Sequence, residues 1–162
     1  MILGIDPGPV QSGFCLLDMD SEIVEVGKRL NPELREFIRL LERRHGFYKI
    51  ACEGMVFQGR GFGKDSIQTC YEIGRLQQLT ADLGIGFQLY TRFEYGRYWV
   101  IEGSLTDSTL RAALERCYGS SAKKGDPLYQ LKGPSDKRSA FALAKYHAIK
   151  LRAASTAQLQ TS

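Results

Sequence analysis

Cysteine and histidine are both scarce in this 162-residue chain. The four cysteines (Cys15, Cys52, Cys70, Cys117) never form a Cys-x-x-Cys pair, and His45 and His147 are the only histidines. That excludes a zinc finger and argues against a disulfide framework. Cys15 and Cys52 lie inside apolar, strand-like runs, where a buried reduced thiol is expected. No apolar run approaches the roughly 20 residues of a membrane span. The opening Met-Ile-Leu-Gly-Ile-Asp has neither the basic start nor the small-residue cleavage site of a signal peptide, so a cytoplasmic protein with no membrane partner is expected. Charge of one sign is also modest, with 22 Lys and Arg against 18 Asp and Glu, or +4. Alone, that balance does not name a nucleic-acid partner. What remains is ordinary: 43% hydrophobic positions exclude disorder over most of the chain. The length gives one domain, large enough to bury about 70% of its extended surface.

The periodicities place strands at 2–6, 13–18 and 22–28, joined by short turn-rich links that suggest an antiparallel meander. Asn31-Pro32 supplies a helix start, with Asn31 as N-cap, and Leu34, Phe37, Ile38 and Leu41 recur at helical spacing until Gly46. A strand at 48–53 follows and should run parallel to the first, because a helix intervenes. A helix over 65–83, a strand at 86–91 and a helix over 107–117 capped by Thr106 or Asp107 come next. The last helix starts near Pro134-Ser135 and runs to about Ala154, leaving 155–162 as a polar tail. This order gives an α/β domain over 1–154, a central mixed five-stranded sheet flanked by helices.

Three carboxylates stand where folding alone would not put them. Asp6 ends one apolar strand, Glu53 ends another, and Asp136 opens the last helix. Asp6 also suits a turn, and Asp136 suits a helix N-terminus. Glu53 has no helix to cap. If the two strands are parallel neighbours, Asp6 and Glu53 share one site, and the helix can deliver Asp136. Converging carboxylates repel, and a hard divalent cation such as Mg²⁺ removes that cost.

The run Ile-Leu-Gly-Ile-Asp6-Pro-Gly, followed by Ser-Gly-Phe14, resembles the first motif of RuvC-type Holliday junction resolvases, within the ribonuclease H-like superfamily. Ile-Ala-Cys-Glu53 resembles the second motif. Asp136-x-x-Ser139-Ala-Phe-Ala-Leu-Ala resembles the family's Asp/His-x-x-Asp-Ala-Leu-Ala helix. Sugar kinases and actin-like ATPases share the first motif but need far more chain. The resemblance implies a ribonuclease H-like fold and a homodimeric, Mg²⁺-dependent endonuclease, with Mn²⁺ as a possible substitute. Such an enzyme nicks opposing strands of a four-way DNA junction, in a bacterial cell or a phage-infected host. It implies a metal site of Asp6, Glu53 and Asp136, with Ser139 where the family carries a further acid. Two ions about 3.5–4 Å apart can activate water and stabilise the leaving oxygen. With serine there, either three acids suffice, an acid such as Asp126 or Glu102 substitutes, or the change is engineered; the undisturbed helix around Ser139 favours the first. The chain's departures from the bacterial pattern fit the small members found in bacteriophages. Two other readings stay open: a junction-binding protein that has lost catalysis, and a related nuclease for structured RNA.

The glycine-rich run from Phe57 to Lys64 follows Glu53. Its glycines let backbone approach phosphate, Arg60 and Lys64 carry charge, and Phe57 or Phe62 can stack on an unpaired base. It is not a nucleotide-binding P-loop, because position 58 is Gln and Asp65 follows Lys64; no nucleotide cofactor is expected. Lys132, Lys137 and Arg138 flank the acid site, where phosphate would lie. Arg92, Arg97, Tyr95, Tyr98 and Trp99 form another candidate contact region. The helix at 65–83 offers Ile67, Tyr71, Gly74 and Leu76 or Leu79 for a dimer interface, unless these pack on the chain's own sheet. His147 lies about three helical turns after Asp136, too far to share its metal, and reads as a packing or surface residue.

Overall fold

Side chains alternate across a strand, and that alternation decides where the acids go. The computed structural model describes residues 1–45, 48–56 and 63–159. Strands β1 (Ile2–Asp6), β2 (Gln11–Leu17), β3 (Ile23–Leu30), β4 (Lys49–Gly54) and β5 (Gly86–Thr91) form one sheet in the order β3-β2-β1-β4-β5. β1–β2 and β2–β3 pair antiparallel, while β1–β4 and β4–β5 pair parallel. This is the mixed five-stranded sheet that the sequence predicts.

Each sheet face has its own core. Leu3, Ile5, Phe14, Leu16, Ile50 and Cys52 point to one side, where α1 (Asn31–His45) and α2 (Lys64–Asp82) cover them with Leu34, Ile38, Leu41, Ile73, Leu76 and Leu79. Ile2, Cys15, Leu17 and Ala51 point to the other, beneath α3 (Arg92–Trp99), α4 (Asp107–Tyr118) and α5 (Ser135–Leu159). Residues Ala140–Ala144 of α5 are all buried. A helix buried on every side lies between two layers: the sheet below and α3 and α4 above. Gly4 lets α5 approach this closely, since a Cβ there would overlap the Ala140 carbonyl and lie 2.8 Å from the Ala144 methyl.

Several expectations change in detail. β2 starts at Gln11, two residues early, and α5 continues to Leu159, five residues beyond the predicted end. Asn31 does not act as the predicted cap. Its amide donates to the Gly8 carbonyl (3.0 Å) and accepts the Ser12 hydroxyl (2.8 Å), so it pins the β1–β2 turn. Thr106 caps α4, in a reciprocal box with Thr109. Leu76 and Leu79 pack on the chain's own sheet, while Ile67 and Tyr71 are exposed. Cys15 and Cys52 are buried free thiols, as expected. Helix α3 is not predicted by the sequence pattern. It buries Tyr95 and Trp99, which the sequence places on a contact surface. Among the described residues no helix is long and apolar enough to cross a membrane.

Candidate active site

Ile5 of β1 pairs with Cys52 of β4. Asp6 and Glu53 come one residue later, at neighbouring ends of two parallel strands. Alternation turns both toward the α5 side, Asp6 following Gly4 and Glu53 following Ala51. Across the sheet, Asp6 pairs with Gly13 and Gly13 with Lys28. Gly13 leaves the gap into which α5 sets its first turn, for a Cβ there would lie 2.7 Å from Asp136 Cβ. One pleat therefore carries Lys28, a vacant glycine position and Asp6, with Glu53 beyond and Asp136 lowered from above.

The charges behave as a cluster. Burial, then the Glu53 and Asp136 carboxylates, push the Asp6 carboxyl up to about 8, against a hydrogen bond from Ser139 and the Arg92 charge. Glu53 is also raised, chiefly by burial, with its Tyr95 hydrogen bond and Arg92 opposing. Both acids therefore hold their protons more tightly than free carboxyls do. Asp136 is paired with Lys28, Oδ2 to Nζ at 2.5 Å.

Sequence reasoning missed the residues that hold Glu53. The Tyr95 hydroxyl donates to Glu53 Oε2. Arg92, the first residue of α3, donates through Nη1 to Ser139 Oγ (2.5 Å) and Tyr95 Oη (3.0 Å), and lies 3.9 Å from Glu53 Oε2. Its Nη2 donates to Asp107 Oδ1 (2.6 Å). The signal for α3 was present: Thr91 and Glu94 form a capping box, the T-x-x-E pattern of a helix start.

Asp6, Glu53, Asp136 and Ser139 are thus brought together. Phe57, Arg60 and Phe62 lie outside the described residues. Lys64 is exposed at the start of α2. Lys132 donates to the Ala122 carbonyl, Lys137 to that of Gln130, and Arg138 to those of Leu131 and Gly133. All three brace the loop before α5. Of the substitute acids, Asp126 accepts from the Lys123 amide within its own loop and Glu102 is exposed. The carboxylate that does join the cluster's edge is Asp107.

Hard carboxylate oxygens on a buried, self-repelling cluster suit a divalent cation of the Mg²⁺ type. Among the described residues, however, no three His, Cys, Asp or Glu side chains form a ready-made cage. Each acid has its own partner instead: Lys28 for Asp136, Tyr95 for Glu53, Ser139 for Asp6.

No family model and no curated protein matches the chain. Solved structures do. RuvC from Thermus thermophilus in complex with a Holliday junction substrate superposes with a TM-score of 0.71 at 14% identity, covering 94% of this chain and 95% of that one. The chain has the RuvC-type resolvase fold. A second Thermus thermophilus RuvC structure gives a TM-score of 0.68 at 15% identity, over 94% of this chain and 96% of that one. The yeast mitochondrial Holliday junction resolvase Ydc2 gives 0.57 at 14%, over 91% and 75%. A RuvC-type fold retained at such low identity is a matter of layers and strand order. The chemistry must be argued from this chain's own acids.

Proposed function

We propose that this chain is a divalent-metal-dependent endonuclease that cleaves Holliday junctions and related branched DNA. The observation that carries the reading is the meeting of Asp6, Glu53 and Asp136 on one face of a RuvC-type fold. These three acids would hold the ion, Mg²⁺ or its substitute Mn²⁺, which when bound supplies positive charge against the phosphodiester and acidifies water. The protein's own residues do the positioning. Tyr95 fixes the Glu53 rotamer through its donated hydroxyl. Lys28 lies at the cluster's edge, partly exposed, where a phosphate oxygen can replace Asp136 as its partner. With a cation bound, Asp6 would be held ionised, because the positive charge would offset the burial and the carboxylate repulsion that raise its pKa.

A four-way junction has two equivalent strands to cut, which suits a two-fold dimer. We place that interface on α2, where exposed Ile67 and Tyr71 and the open face of Gly74 follow one another at helical spacing.

A labelled four-way junction incubated with Mg²⁺ or Mn²⁺ tests the reading. Symmetric nicking is expected, and Asp6→Asn, Glu53→Gln and Asp136→Asn should each lose cleavage while keeping junction binding. Near-parental nicking by any one variant removes that residue from the site. The second reading, a junction binder without catalysis, has Ser139 in its favour; junction binding with no nicking in either metal would establish it.

A further inference from the structure

We propose that Arg92 stands where a second divalent cation would otherwise sit, so that each chain binds a single metal ion. The inference rests on the reading of Asp6, Glu53 and Asp136 as the ligands of that ion, and goes beyond it by assigning the other half of the cluster to an arginine.

The geometry is specific. Ser139 lies one helical turn after Asp136, on the same face of α5, and is buried. Its hydroxyl carries no charge and would bind a divalent ion weakly. The Arg92 guanidinium takes that hydroxyl at 2.5 Å and lies 3.9 Å from Glu53 Oε2. Two further anchors hold it there, Tyr95 Oη at 3.0 Å and Asp107 Oδ1 at 2.6 Å. Any ion bridging Ser139 and Glu53 would meet a fixed positive charge at contact distance. Like charges that close, in a partly buried site, exclude one another. An arginine stays protonated at every working pH, so the exclusion is permanent.

The arrangement is also internally consistent. A fourth acid at 139 would deepen the repulsion already felt by Asp6, and would call for a second cation. Serine removes that charge, and Arg92 supplies a tethered cation facing Glu53. Arg92 is thus a positioning residue: it fixes Ser139, Tyr95 and through Tyr95 the carboxylate of Glu53.

The test is Mn²⁺ alone, titrated into the intact chain and followed by the electron paramagnetic resonance signal of the free ion. One ion per chain is expected, and junction cleavage by the parent should depend on metal concentration with a Hill coefficient near one. The double variant Arg92→Gln/Ser139→Asp restores an acid and removes the tethered cation, and should bind two. Parent chains that bind two ions, or a double variant that still binds one, overturn the proposal and leave the nuclease reading standing. Parent chains that bind none overturn both. The parent measurement needs no variant to fold.

Discussion

Asp6 feels both of the site's other acids as well as its own burial. Its carboxyl titrates near 8 in the folded, cation-free chain against 3.8 as a free side chain. Folding therefore takes up a proton over that interval. The associated stability is fully present below pH 3.8 and is lost as pH rises through 8. Thermal unfolding in a chelator should show the melting temperature falling between about pH 4 and 8 and levelling off above. Asp6→Asn should lack that component and melt several degrees above the parent at pH 9, since each kcal/mol is worth about 2–4 °C in a chain of this size. Added Mg²⁺ should stabilise the parent at pH 9 and leave Asp6→Asn nearly unmoved. An unchanged slope in the variant would mean that Asp6 is not the group that titrates. At this scale Asp6 and Glu53 were legible because each ends an apolar strand, and Asp136 and Ser139 because they stand in the motif that opens the last helix. Arg92, Tyr95, Asp107 and Lys28 were not. They lie on three other elements, β3, α3 and α4, and only the strand register and the seating of α3 and α4 bring them in. Lys28 illustrates the point: it reads as one exposed charge on an alternating strand until its pairing with Gly13 puts it beside Asp136.

At the scale of elements, α5 decides both stability and chemistry. Its first turn delivers Asp136, and its middle lies on β1 with only Gly4 between backbones. Gly4→Ala forces the added methyl into the Ala140 carbonyl, a rigid neighbour, so overpacking should cost about 1–3 kcal/mol. Gly13→Ala acts at the acid-cluster end, where the new Cβ would meet the backbone and Cβ of Asp136. Cleavage should fall more than stability does. Denaturant unfolding of both variants beside junction nicking checks the contrast, and equal nicking by Gly13→Ala and parent would show that α5 yields without moving Asp136. The helices with simple one-sided periodicity, α1 and α2, were legible to within a residue or two. Helix α3 carried a start signal in Thr91 and Glu94, but its eight residues are too few to establish a period and its aromatic content suggests a contact surface. The last five residues of α5 read as tail because they are polar, but a polar helical end in solvent needs no apolar face to continue a long helix. His147, a packing or surface residue by its sequence position, is buried, its Nδ1 joined to the Tyr90 hydroxyl at 2.9 Å.

For the whole molecule, the strand order was partly deducible. Two short turns dictate the β1–β2–β3 meander, and the intervening helix makes β4 parallel to β1. The choice of which sheet face receives α5 follows from tertiary packing alone, and it is this choice that converts strand-end acids into a cluster. Net charge belongs to the same scale. A surplus of +4 is small, so under the proposed function junction affinity would come from local cations and not from the overall field. Several of those cations, Lys132, Lys137 and Arg138, already bond loop carbonyls, yet a carbonyl is a weak competitor for a charge that phosphate can take. Junction binding measured without cleavage, in Ca²⁺ or with Glu53→Gln, should weaken steeply with salt. A protein that engages 6–10 phosphates loses roughly 10³–10⁵ in affinity between 50 and 200 mM. Replacing Lys132 or Lys137 by Ala should lower the logarithmic slope by about one for each phosphate no longer neutralised. A slope that stays unchanged in both variants would confine these lysines to bracing the loop, and a flat salt response in the parent would remove this whole surface from DNA binding.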